Sequence, residues 1–219
     1  MFATADDGTR IAYDSVPGPR PVLLLHGFAT DSRRTWHDTG WLRALDGRGY
    51  VTVDLRGHGE SDTPESGYSP GRLARDALAV LDAAEVPTVD VVTYSMGGVV
   101  GWELARLAPG RVGALVLGGI DGRPVEAPDM HLVRDAMRAK GLQACIDGMA
   151  GSRIEGSAGV PVLVVAGEND EIAAAAPELA TGIGAEFVPL PRRTHLNAVS
   201  SRAFKQAALD FLDGRPAAR

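Results

Sequence analysis

The chain has 219 residues, 45% of them hydrophobic and 23% charged, and a formal net charge of −6. That length suits one domain with a full core, and the acidic balance with scattered arginines argues against nucleic acid as a partner. The single cysteine, Cys145, excludes an intramolecular disulfide and reads as a small buried apolar residue. The start MFATADDGTR lacks the basic and apolar regions of a signal peptide. No apolar run reaches the roughly 20 residues of a membrane span. A soluble cytoplasmic protein without a membrane partner is expected. No helix face carries an extra apolar patch that would specify an oligomer.

In chain order, a weak antiparallel hairpin is expected before Pro17, with its turn at Asp7-Gly8. The runs VLLLHG from Val22 and YVTVDL from Tyr50 read as strands. SPGRLARDALAVLDAAEV reads as a helix, with Ser69 as cap and Pro70 in its first turn. A strand in VDVVTYS, from Val89, runs into a helix in GGVVGWELARLA, and ALVLGG from Ala114 is the next strand. The segment 121–159, about 40 residues with Met130, Met137 and Met149, should form one or two helices. It is either a cover over a site or a plain crossover. VPVLVVAG from Val160 is a further strand, AEFVPL from Ala185 a weaker one, and SSRAFKQAALDFL a closing helix. The strand runs are apolar throughout rather than alternating, as parallel strands covered on both faces are. The order predicts an α/β fold, a mostly parallel central sheet with helices on both faces, as one domain over 1–219.

Chemistry enters with VVTYSMGGVV, where Ser95 lies between an apolar β-branched run and two glycines. A serine needs a histidine base and an acid to orient it. Of five histidines, His195 follows the last strand run and precedes the terminal helix, and Asp170 ends VPVLVVAGEND. Both therefore fall at carboxyl ends of strands, the edge where open α/β sheets carry their sites. The order Ser95, Asp170, His195 is that of α/β-hydrolases and differs from the other major triad folds.

Five segments in the right order, LLLHGF, DLRGHGESD, YSMGG, GEND and the histidine before a helix ending in FL, carry a resemblance over nearly the whole chain. The sequence resembles the α/β-hydrolase superfamily, as a small bacterial serine-esterase-like member with a minimal cap at about 121–159. The resemblance implies Ser95 as nucleophile, His195 as base, Asp170 as its acid, and an oxyanion hole from the Phe28 and Met96 N–H groups. Asp121, after LGGI, is the alternative acid. His26 and the DLRGHGESD loop read as scaffolding. Trp36 and Trp41, just past HGF, either wall an apolar substrate pocket or pack in the core. No metal and no cofactor is expected. The implied substrate is a small-molecule ester or acyl compound, cleaved through an acyl-enzyme. Thioesters and lactones suit the same machinery, and the alternative of another class is a low-turnover binding or signalling protein.

Two positions depart from the pattern. Thr93 and Thr194 stand where glycine is common. Threonine adds a β-branched side chain to a crowded turn, and Gly118 and Gly119 on the next strand are candidates to make room for it. The short 121–159 segment predicts an open site with modest discrimination.

Overall fold

Gly8, at φ 84°, turns the first hairpin, in which β1 (Phe2–Thr4) and β2 (Arg10–Val16) pair antiparallel. The computed structural model describes residues 1–125, 127, 130–139 and 141–214, with the side chains of 132, 133, 136 and 137 excepted. The remaining strands are β3 (Val22–Leu25), β4 (Tyr50–Val53), β5 (Val89–Tyr94), β6 (Val112–Gly118), β7 (Val162–Gly167) and β8 (Glu186–Leu190). They form one eight-stranded sheet in the order β1-β2-β4-β3-β5-β6-β7-β8, parallel from β4 to β8. The AEFVPL run is thus a true edge strand.

Side chains alternate across the pleat and divide the core into two layers. Leu23, Leu25, Val91, Leu115 and Val164 face a layer that receives Leu73, Val80 and Val100. The helices supplying those three are α2 (Pro70–Ala83) and α3 (Met96–Leu107). Val22, Leu24, Val92, Val116 and Val165 face the other layer, built on Trp36, Trp41, Phe204 and Leu212. Those come from a π-helical turn at Arg33–His37, the short α1 (Trp41–Ala44) and the terminal α8 (Arg202–Asp213). Ser69 caps α2, its side chain accepting from the Arg72 N–H at 3.3 Å.

Among its described residues, segment 121–159 carries the helices α4 (His131–Ala139) and α5 (Gln143–Met149). Residues 126, 128, 129 and 140, and the Met137 side chain, lie outside the described ones. The sequence pattern did not mark the 33–44 helical turns. Nor did it mark α6 (Ala176–Ile183), which begins in the alanine tract, or α7 (His195–Ala198). Short helices of this kind hold too few turns to show a 3.6-residue period. Among the described residues no helix is long and apolar enough to cross a membrane.

The strand order reverses at the centre of the sheet. From β3 the chain passes to β4 on one side, whereas from β5 it passes to β6 on the other. The carboxyl ends of β3 and β5 therefore flank the topological switch point, where such sheets open a crevice. The His26–Phe28 loop and Ser95 occupy those two ends.

Candidate active site

Ser95 sits between β5 and α3 at φ 51° and ψ −123°. A non-glycine residue there stores on the order of 1–3 kcal/mol of backbone strain. Two contacts hold it: its N–H donates to the Gly118 carbonyl at 2.8 Å, and its carbonyl accepts from the Gly98 N–H at 2.8 Å. The glycines around it are dictated by close approach. A Cβ on Gly97 would overlap the Leu25 carbonyl, and one on Gly27 would lie 3.0 Å from the Ser95 Cβ. The Gly27-Phe28 backbone is thus packed directly against the serine.

His26 fixes that loop from behind. It is fully buried; its Nδ1–H donates to the Gly27 carbonyl at 2.7 Å, and its Nε2 accepts from the Leu55 N–H at 3.0 Å. Burial, with the nearby His58 adding to it, pulls the His26 pKa down to about 4. The ring is a neutral brace, and both nitrogens are committed to backbone.

Asp170 and His195 meet at the same edge. The His195 Nδ1 lies 3.0 and 3.1 Å from the two Asp170 carboxylate oxygens. The carboxylate is buried and also accepts from the Ile172 and Ala173 N–H groups, both at 3.1 Å. Gly167 explains the Gly-x-x-Asp spacing: a Cβ there would overlap the Arg193 carbonyl, so only glycine lets the acid loop lie on the chain entering His195. The Asn169 N–H donates to that same carbonyl at 2.9 Å. Thr194 completes a reciprocal capping box with Asn197 around α7. Tyr94, adjacent to Ser95, ties this turn to β5, its hydroxyl donating to the His195 carbonyl at 2.5 Å with the two rings 5.2 Å apart.

Asp121, the alternative acid, makes other contacts. Its carboxylate takes the Arg123 Nε–H at 2.7 Å and the Ala175 N–H at 3.4 Å. Geometry therefore brings Asp170, not Asp121, to His195.

Two expectations need correcting. Trp36 does not line the cavity beside Ser95; it is fully buried in the opposite core layer, edge-on to Trp41 at 5.5 Å, with Trp41 edge-on to Phe204 at 5.0 Å. The aromatic trio seals the sheet from below. Nor do Gly118 and Gly119 accommodate the Thr93 methyl, since they make room for the Phe204 and Tyr94 rings. The methyl fits against Gly101 of α3, where a Cβ would come within 2.7 Å of it. Its hydroxyl donates to the Val116 carbonyl at 2.9 Å, so the polar atom of a fully buried threonine is satisfied.

The cavity beside Ser95 measures about 40 Å³ and is lined by Phe28, Met96, Val99, Ile120, Val125 and Met149 among others. The last two belong to the 121–159 segment, which thus supplies part of the wall beside a Ser95 that stays half-exposed. Tyr94, Val99, Val125 and Ile172 were not singled out by the sequence. Each reads as an ordinary apolar or aromatic core residue, and only its position relative to Ser95 distinguishes it. Among the described residues no group of three or more His, Cys, Asp or Glu is placed to hold a metal ion.

Fold and site together define an α/β-hydrolase. The chain belongs to the alpha/beta hydrolase fold family, whose model matches residues 20–151. The non-heme chloroperoxidase of Streptomyces lividans is 32% identical over 160 residues, 66% of this chain and 56% of that protein. The chain thus spans about half the length of the curated relatives it matches. A thermophilic esterase from Thermogutta terrifontis superposes with a TM-score of 0.80 over 98% of each chain at 21% identity. An enol-lactonase from Burkholderia xenovorans gives 0.79 at 22% identity, covering 97% of this chain and all 100% of that one. At such identities the likeness is one of fold.

Proposed function

We propose that the chain is a serine hydrolase of small carboxylic esters, one domain with a minimal cap at 121–159. The observation that carries this reading is the Asp170–His195 contact, at 3.0 and 3.1 Å, on the sheet edge where Ser95 is held at positive φ. In the proposed reaction the Ser95 Oγ attacks the ester carbonyl while His195 Nε2 takes its proton. Asp170 holds the Nδ1–H, keeps the ring in one tautomer and stabilises the imidazolium. The carbonyl oxygen becomes an oxyanion between the Phe28 and Met96 N–H groups, the second at the positive end of α3. His195 then protonates the leaving alcohol, giving the acyl-enzyme. Water, deprotonated by the same histidine, releases the acid and restores Ser95. The protein's own groups supply every proton transfer in this sequence, and lactones and thioesters are open to the same steps.

A fluorophosphonate probe with mass spectrometry tests the assignment. Rapid labelling at Ser95 that disappears in His195→Ala is expected, together with a fall on the order of 10⁴-fold or more in p-nitrophenyl acetate turnover for Ser95→Ala. Folded protein that leaves Ser95 unlabelled, or a Ser95→Ala variant that keeps most activity, would overturn it.

A further inference from the structure

We propose that the cavity beside Ser95 takes a short acyl chain, on the order of two to four carbons, and that Met149 sets the length it accepts. The inference rests on the ester-hydrolase reading and adds the substrate class. The space is small: about 40 Å³, against roughly 10–15 Å³ that holds one water and about 150 Å³ for a cavity that admits benzene. A benzoyl or octanoyl group exceeds this space and must extend through its open side or displace a wall.

The walls are apolar where the chain would lie. Met96, Val99, Ile120, Val125 and Met149 offer no partner to a charged acyl end. The charged lining residues Asp121 and Arg123 bond to each other at 2.7 Å. This apolar stretch thus favours methylene groups over ionic ones.

The wall that carries Met149 is also fixed. Gly148, next to Met149, lies so close to Tyr68 that a Cβ would come 2.7 Å from its main-chain carbonyl carbon. On the same helix Cys145 and Ile146 are buried, and the Cys145 sulfur lies 4.0 Å from the Met96 sulfur. Farther along, the Ile154 N–H donates to the Gly122 carbonyl at 3.2 Å, and a Cβ on Gly122 would come 2.9 Å from Leu179. Helix α5 is bolted to the domain, so the Met149 wall of the cavity is held in place. Chains too long for it leave methylenes in water or force Met149 aside, and one methylene in such a pocket is worth about 10- to 200-fold.

The test compares kcat/KM for p-nitrophenyl acetate, butyrate, hexanoate, octanoate and benzoate. A maximum at acetate or butyrate is expected, with at least a tenfold fall at octanoate and benzoate. Met149→Ala should raise the hexanoate-to-acetate ratio about tenfold or more; Val125→Ala, on another wall of the same cavity, is the second variant should the first not fold. A profile flat or rising to octanoate in protein whose Ser95 reacts with fluorophosphonate would overturn the pocket proposal alone. If Ser95 is unlabelled and no ester is turned over, the hydrolase reading fails instead. Saturation-transfer NMR with butyrate and octanoate then still decides the pocket: selective butyrate contact upholds it, and equal binding of octanoate refutes it.

Discussion

A methyl group at residue 101 would lie 2.7 Å from the Thr93 Cγ2, and that methyl cannot rotate away because the Thr93 hydroxyl is bonded to Val116. Helix interiors favour alanine over glycine by about 1 kcal/mol, whereas overpacking a core costs about 1–3 kcal/mol. Gly101→Ala is therefore expected to destabilise by up to about 2 kcal/mol in urea unfolding. In a Thr93→Ser background, which keeps the hydroxyl and removes the methyl, the same change should be neutral or stabilising. Additivity between the two would show that they do not share space. The proposed acid is tested at the same scale. Asp170→Asn should reduce kcat by roughly 10⁴-fold, as loss of an orienting carboxylate does elsewhere, while Asp121→Asn, which loosens Arg123 and the Ala175 amide, should stay within about tenfold. A larger loss in the second variant would reverse the assignment.

At the scale of elements, His195, the proposed base, sits on a four-residue helix that has no stability of its own. It is held from outside. The Tyr94 hydroxyl takes the His195 carbonyl, the Trp41 Nε1–H donates to the Val199 carbonyl at 2.7 Å, and the Thr194–Asn197 box closes the start of α7. Burial, and then the nearby Asp170 charge, push the Tyr94 pKa upward, so the phenol stays protonated as a donor. Tyr94, the residue before Ser95, thereby fixes the turn that carries His195. Tyr94→Phe keeps the ring and removes only this bond. A fall in kcat of about 10- to 100-fold with KM unchanged is expected, the scale of a small misplacement of a catalytic group. Unchanged kcat in steady-state kinetics would show that Trp41 and the capping box suffice.

Across the whole molecule, buried titratable groups link the site to stability. Arg56 is fully buried and bonded to Asp76 at 2.7 and 2.8 Å and to Asp7 at 2.8 Å, tying the first hairpin to α2 behind the site. Burial alone would lower its pKa, but those carboxylates outweigh burial and raise it. His26 has the stronger pH consequence. Its folded pKa of about 4 lies below the ordinary 6.5, so between these values the unfolded chain binds the extra proton. Its contribution, on the order of 3 kcal/mol, is fully present above about pH 6.5 and is lost as pH falls toward 4. Urea midpoints of the wild type should drop across that window, and His26→Asn should give a flatter profile there. Equal slopes would mean that His26 is not the linked group.

The sequence by itself determined the strand and helix order, the two-sided sheet and the identity of Ser95, Asp170 and His195 as candidates. Those features depend on local composition: unbroken apolar runs, glycines where backbones cross, and polar residues at strand ends. Partnership was different. Whether Asp121 or Asp170 reached His195, whether Trp36 faced a substrate or the core, and what received the Thr93 methyl were settled by contacts between residues far apart in the chain. The 121–159 segment makes the same point: its length did not show that Gly148 packs against Tyr68 and leaves Met149 in the wall of the cavity beside Ser95. Close packing between distant segments carries no periodic signature along the chain, so only the assembled structure decided it.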